Sequence, residues 1–337
     1  MQNFSLLITE WYRQNKRELP WRGVNDPYTI WLSEIILQQT RVEQGRAYYQ
    51  KFVDHYPTVI DLANASEQDV LNDWQGLGYY SRARNLHFSA KYIRDELNGI
   101  FPQTYDEILK LKGVGKYTAA AIASFAYNEP KAVVDGNVYR FLSRAFNIDT
   151  PIDSSKGQKD FQILADSIIS IDNPADHNQA MMEIGALVCT PTSPQCMFCP
   201  VNEICEGRAK GTHVNLPVKS KKTKVRNRYF HYLIYNDSRK TLIEQRTEKG
   251  IWQKLYQFPL VETESEKWDT IPENCVQVSE TVVHKLSHQH IHAKFYTIQG
   301  FPKKMESSYV TINSEDIQDF PLPRIIDRYL EKHTFEF

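Results

Sequence analysis

The sequence predicts a mainly α N-terminal region followed by a smaller α+β domain. Three observations carry this reading. Apolar residues recur at helical spacing through 1–217, the period changes after a basic stretch at 218–228, and four cysteines crowd one loop at 189–205. The 337 residues leave room for two domains, and a formal charge of −1 confines any nucleic-acid binding to a local patch. The first twenty residues are too polar for a signal peptide, and no apolar run approaches the ~18 residues of a membrane span. The expected setting is therefore soluble, reducing and cytoplasmic.

In chain order, TIWLSEIILQQTRV (29–42) reads as a helix. Spacings of four and seven place Glu34 on one face with Ile30 and Leu37. A carboxyl in an apolar stripe has a raised pKa and can donate a proton near neutrality. The competing reading is a buried glutamate paired with Arg22, Arg41 or Arg144. Next, LKGVGKYTAAAIASFAY (111–127) opens on Gly113-Val-Gly115 and continues as a small-residue helix. Glycine N–H groups at a helix start suit one DNA phosphate without reading sequence, although many helix starts carry such a pair. In AVVDGNVYRFLSRAF (132–146), Asp135 precedes the apolar face Val138, Phe141, Leu142, Ala145 and reads as an N-cap. The helix dipole should hold that carboxylate ionised, able to stabilise a developing cation. Two carboxyls with pKa values pushed apart form the acid-plus-stabiliser pair of glycosidic bond cleavage.

Cys189, Cys196, Cys199 and Cys205 read C-x6-C-x2-C-x5-C within 17 residues. A disulfide framework does not suit so large and otherwise cysteine-poor a chain. Zinc sites usually pair two C-x2-4-C knuckles and only one is present, so the uneven spacing favours a [4Fe–4S] cluster, with zinc as the alternative. Cys275 stands alone and reads as structural.

VKSKKTKVRNR (218–228) is a basic linker by composition. Beyond it, YFHYLIY (229–235), TLIEQR (241–246), CVQVSETVVHKL (275–286) and HIHAKFYTI (290–298) read as strands, with NDSRK (236–240) as the hairpin turn between the first two. LPRIIDRYLEKH (322–333) suits a C-terminal helix. The expected organisation is 1–217, linker 218–228 and 229–337.

The glycine hairpin, Pro130, Asp135 and the four-cysteine loop together resemble the helix–hairpin–helix/Gly-Pro-Asp DNA glycosylases. Within these, LPWR (19–22), WLSEIILQQTRV (31–42), GLGYYSRARNL (76–86), LKGVGKYTA (111–119), VDGNVYR (134–140) and MMEIGALVCT (181–190) are similar to the adenine DNA glycosylases of the MutY type, over essentially the whole chain. The resemblance implies a helix–hairpin–helix glycosylase fold with an iron–sulfur loop and a Nudix-like C-terminal domain. It implies double-stranded DNA carrying A:8-oxoguanine or A:G mispairs as partner, nucleoid association, and a monomer. By the same resemblance Glu34 protonates adenine N7 and Asp135 stabilises the oxocarbenium-like sugar, with Tyr117 and Asn137 in support. Trp21, Arg22, Leu37 and Glu183 would surround the adenine. Gln39 and Tyr79 would wedge into the helix. Thr40, Gly113, Gly115, Lys116, Arg208 and Lys210 would meet the DNA, and Leu286, Ser287 and His288 the 8-oxoguanine.

Endonuclease III enzymes place a nucleophilic lysine where Tyr117 stands here. One residue along a helix turns a side chain by about 100°, so Lys116 should face away and the enzyme should be monofunctional. The departures are Leu286, which replaces an aromatic residue of the family's F-S-H loop, and WQKLYQFP (252–259), where many relatives have glycines and where Gln253 or Lys254 would reach the DNA. No Nudix box is present, so a second hydrolase activity is not expected. His288, His290 and His292 would share a strand face, but no carboxylate accompanies them as a metal site. The alternatives are a bifunctional endonuclease III-type lyase and a non-catalytic DNA-damage or redox sensor.

Overall fold

A computed structural model describes residues 2–220 and 225–333. Residues 221–224, in the middle of the basic linker, lie outside the described residues. The helices are α1 (Gln2–Asn15), α2 (Pro27–Leu37), α3 (Val42–His55), α4 (Val59–Asn64), α5 (Glu67–Asp73), α6 (Ser81–Glu96), α7 (Tyr105–Ile108), α8 (Lys116–Tyr127), α9 (Gly136–Ala145), α10 (Ser155–Ile168), α11 (Pro174–Leu187), α12 (Glu206–Ala209) and α13 (Arg324–Leu330). The chain forms two compact units, Met1–Asn64 with Phe88–Lys221, and Ala65–His87 with Lys222–Phe337. Among the described residues, no helix is long and apolar enough to cross a membrane.

The first unit is helical. Asp26 caps α2 by accepting from the Tyr28 and Thr29 N–H groups, and Pro27 supplies a preset φ. The helix stops at Leu37, short of the expected 29–42 span. Gln38 turns to ψ 113° and Gln39 enters the left-handed region at φ 60°, which no continuing helix allows. Asp135 Oδ1 accepts from the Val138 N–H at 2.7 Å, so the N-cap of α9 is as the sequence predicts. Ala119, Ala120, Ala121 and Ala123 of α8 are buried, and their small side chains let the helix run through the middle of the unit against α2 and α11. Gly185 is a closer approach still: a Cβ there would meet the Asn137 carbonyl oxygen at 2.7 Å. Gly185→Ala is therefore expected to force α11 from α9, costing about 1–3 kcal/mol and slowing any chemistry that needs Asn137 in place. A thermal melt indistinguishable from the parent protein would contradict this.

The second unit contains two sheets. One has the order β4 (Leu260–Thr263), β1 (Arg226–Asn236), β7 (Gln289–Gln299), β5 (Cys275–Val278), with β6 (Val282–Leu286) also lying along β7. The other is β3 (Tyr256–Gln257), β2 (Lys240–Gln245), β8 (Tyr309–Asn313). β1 and β7 run parallel, from Arg226 beside Gln289 to Asn236 beside Gln299, and all other pairs are antiparallel. Three expectations change here. The 236–240 turn forms, closed by the Asp237 and Lys240 backbones, but β1 and β2 then part into different sheets instead of making a hairpin. The 275–286 stretch is two strands, interrupted where Ser279 accepts from the Phe295 N–H. β1 already begins at Arg226, inside the stretch read as linker. Tyr232, Phe295 and Tyr329 of α13 stack through this core, at 5.2 Å and 3.8 Å between successive rings.

Candidate active site

A cavity of about 430 Å3 opens in the first unit where α2, α8, the start of α9 and α11 converge. That volume falls in the range of about 300–1,000 Å3 typical of small-molecule pockets. Ile30, Glu34 and Leu37 all line it, so the face read from their spacing is real. Glu34 is 7% exposed. Burial pushes its carboxyl up to about 7, with a hydrogen bond from the Tyr117 hydroxyl opposing and the Asp135 carboxylate adding to the rise. The arginine pairing weighed for Glu34 is not what the structure shows: Arg22 bonds Glu183, and Arg144 bonds backbone carbonyls. Burial, with the neighbouring Glu34 and Asp135, drives the Tyr117 hydroxyl well above its ordinary value and keeps it a donor. Lys116 is exposed and lies off the cavity, as the helical rotation predicts.

Asp135 differs from expectation in one respect. Burial raises its carboxyl above the ordinary 3.8, outweighing the Val138 and Asn137 hydrogen bonds that favour the ionised form. Those bonds belong to a chain of contacts. Asn137 Nδ2 donates to Asp135 Oδ2 at 2.8 Å, and Arg140 Nη2 donates to Asn137 Oδ1 at 2.8 Å. Arg140 also reaches the Gly185 carbonyl at 2.6 Å and, through Nε, the Cys189 carbonyl at 2.7 Å. The sequence reading missed Arg140, although Asn137 and Arg140 stand three apart on one helix and so share a face.

Glu183 is 1% exposed and accepts from two arginines at once. Arg17 donates through its backbone N–H (2.9 Å), Nε (2.8 Å) and Nη2 (2.7 Å), and Arg22 through Nη1 (2.9 Å) and Nη2 (2.6 Å). Burial alone would raise this carboxyl, but the arginines hold it down at about 2. Arg17, which lines the cavity, was also missed; in the sequence it looks like one more cation in a polar segment. Glu183→Gln would leave two guanidinium groups without their counter-charge, and about 3–5 kcal/mol of stability should disappear. The carboxylate's contribution is full above its ordinary 4.5 and fades as pH falls towards 2, so parent and variant should converge in urea midpoint at low pH. A constant gap between them down to pH 2 would exclude the ion pair as its source.

Trp21 lines the cavity and meets Tyr49 edge-on at 5.4 Å between rings. Gln39 and Thr40 lie at its rim, and Gln39 is exposed. Gly113 (φ 84°) and Gly115, the N-cap of α8, stand apart from the cavity on the hairpin that joins α7 to α8. α7 opens with a capping box between Thr104 and Glu107. In the second unit, Ser287 and His288 form the two-residue turn between β6 and β7, and Tyr79 and Ser287 share a 2.7 Å hydrogen bond between hydroxyls. His288 is thus on a turn, not on a strand face with His290 and His292; His292 stacks on Tyr229 and bonds Asn227. Lys254 pairs with Glu67 at 2.8 Å, and the Gln253 side chain bonds the Thr247 carbonyl.

The four loop cysteines line one small cavity with Phe141, Val188 and Arg144. Burial raises the Cys199 thiol to about 12, and the other three thiols add to the rise. The 3% exposed Arg144 places Nη1 3.5 Å from Cys189 Sγ. Four converging thiols beside a buried cation fit a soft metal centre whose thiolates give it net negative charge. Among the described residues, no three His, Cys, Asp or Glu side chains are arranged to hold a metal ion as they stand.

Residues 32–165 match the model of the HhH-GPD superfamily base excision DNA repair proteins, and residues 230–332 match the NUDIX domain. Fold and cavity together therefore define a base-excision repair protein of the helix–hairpin–helix class with a Nudix-like C-terminal domain. An adenine DNA glycosylase of Buchnera aphidicola subsp. Acyrthosiphon pisum (strain APS) is 32% identical over 339 residues, covering 97% of each chain. The adenine DNA glycosylase of Homo sapiens is 42% identical over 212 residues, which are 60% of this chain and 39% of the human one. A thermostable thymine-DNA glycosylase superposes with a TM-score of 0.57 at 29% identity, over 61% of this chain and 95% of its own. The chain belongs to the adenine DNA glycosylase family.

Proposed function

We propose that this enzyme hydrolyses the N-glycosidic bond of adenine opposite 8-oxoguanine or guanine in double-stranded DNA, without cutting the strand. The observation that carries the reading is the Glu34–Tyr117–Asp135 group in one buried cavity, with Glu34 near pH 7. The base must leave the stack to reach it, and a mispaired base is the cheapest to extrude. Glu34 then gives its proton to adenine N7, which makes the base a better leaving group. As the C1′–N9 bond breaks, Asp135 faces the positive sugar, either as a fixed charge or by transient attachment, and water completes hydrolysis. Tyr117 donates to Glu34 and fixes its orientation; Asn137 does the same for Asp135.

Trp21, Arg22, Leu37 and Glu183 form the walls for the base, with Glu183 acting chiefly by holding Arg17 and Arg22. Gln39 and Tyr79 each act as a wedge into the DNA helix. Thr40, Gly113, Gly115 and Lys116 meet the backbone, and Leu286, Ser287 and His288 read the 8-oxoguanine. Cys189, Cys196, Cys199 and Cys205 would hold a [4Fe–4S] cluster, which when bound would supply a structural anchor or a redox-sensing centre; base hydrolysis consumes no electrons. Tyr117 stands in the cavity lining where a lyase needs an amine at the sugar, and no lysine joins it there among the described residues, which argues against the lyase alternative.

Single-turnover cleavage of end-labelled duplexes carrying A opposite 8-oxoguanine, G or T tests this directly. Breaks that appear only after hot alkali, fastest opposite 8-oxoguanine, are expected. Breaks without alkali would restore the lyase, and binding without any breaks would favour a sensor.

A further inference from the structure

The loop Gln75–Tyr80 has a backbone that needs support from outside itself. Gly76 and Gly78 sit at φ 94° and 73°, and Tyr79 follows at φ 48°, a region L side chains rarely adopt. A Cβ on Gly78 would meet nothing within 4 Å, so backbone conformation and not space dictates glycine there. Tyr79 has no such freedom. Its side chain is also 44% exposed, so burial of the ring does not explain why it stays.

Arg82 surrounds it. The guanidinium lies 5.1 Å from the Trp74 ring and 5.7 Å from the Tyr79 ring. Nη2 donates to the carbonyls of Leu77 (3.4 Å) and Gly78 (3.2 Å), and the Arg82 backbone N–H donates to that of Tyr79 (2.8 Å). Trp74 Nε1 adds a 3.0 Å bond to the Gly78 carbonyl. One residue thus binds three successive carbonyls and two aromatic faces. Partial burial lowers its pKa to about 10, so the half-buried group is still charged at neutral pH.

We propose that Arg82 is a positioning residue that holds Tyr79 in its left-handed conformation before DNA arrives, presetting the side chain that enters the helix as the adenine leaves. This rests on the function proposed above. A strained conformer persists only where its surroundings over-determine it. Without the planar cation the loop relaxes, and ordering of the wedge falls on the binding step. Lysine cannot substitute, because a point charge has neither the stacking face nor the fork of donors.

The test is a double-mutant cycle in the full chain with Arg82→Lys, Tyr79→Ala and both. Two readouts are taken on a duplex with 2-aminopurine at the target position and on its adenine counterpart opposite G: the fluorescence rise on extrusion, and single-turnover excision. Arg82→Lys should cut extrusion amplitude and excision about tenfold, equivalent to about 1.4 kcal/mol. Tyr79→Ala should lose at least as much, and adding Arg82→Lys to it should change nothing further. Losses that multiply in the double variant overturn the proposal, since Arg82 would then act on something other than Tyr79. If Arg82→Lys melts early, the cycle is run with Arg82→Met, which keeps the stem and removes the cation. A parent protein that excises no adenine from any duplex overturns the underlying function instead.

Discussion

Glu34→Gln should abolish adenine excision while leaving the duplex bound. Glutamine keeps the shape of the carboxyl and its ability to accept from Tyr117, but it has no acidic proton for the leaving base. Loss of a positioned general acid costs about 10²–10⁴-fold, so single-turnover rates should fall by that factor at unchanged Kd. The parent enzyme should be fastest below pH 7 and slow as the pH rises through the Glu34 value of about 7, because only the protonated form donates. The same residue should make the parent less stable in alkali. Its folded value lies above the ordinary 4.5, so the native state must either keep the proton or bury a charge as pH rises through 7. Glu34→Gln should therefore melt alike at pH 4, and at pH 8 be more stable by on the order of 1–3 kcal/mol. A variant that loses binding and excision equally would remove Glu34 from the acid role.

Asp135→Asn should be nearly as damaging, by a different route. Asparagine can still cap α9 through its side-chain oxygen, but its NH2 would face the Asn137 Nδ2 that donates to Asp135 Oδ2, so the fold should survive at a cost of about 1–3 kcal/mol. What disappears is the negative charge facing the sugar cation. Removing one preorganised electrostatic partner of a transition state typically costs about 10²–10³-fold in rate. The loss should appear in the chemical step and not in Kd. If the variant retains more than a tenth of the parent single-turnover rate, Asp135 is a cap and nothing more.

These two residues were legible in the sequence because their signals are local. Glu34 is out of place in an apolar stripe, Asp135 stands before a strongly one-sided helix, and the rotation between Lys116 and Tyr117 follows from helix geometry alone. The cysteine spacing is equally local. What escaped depends on residues far apart in sequence. Nothing near Leu37 announces that Gln39 turns left-handed, since the apolar and polar pattern runs on through Val42. The separation of β1 and β2 into two sheets is decided by their partners β7 and β8, more than fifty residues away. Glu183 is expected beside the adenine by resemblance alone, and only the fold brings Arg17 and Arg22 onto both its oxygens. Arg82 shows the limit most clearly: its spacing from Tyr79 is visible, but the φ that makes the contact matter is not.

Residues 65–87 belong to the same compact unit as 222–337. On the ribosome the shorter segment emerges early and its partners come last, well over a hundred residues later. During that interval the indole of Trp74, later wholly buried, has from its own unit only α5 and the start of α6, and none of the strands, to pack against. Long sequence separation of this kind slows folding and leaves apolar side chains open to chaperones and proteases. Nascent chains halted before residue 222 should accordingly be clipped near Trp74, while the released full-length protein resists the same protease.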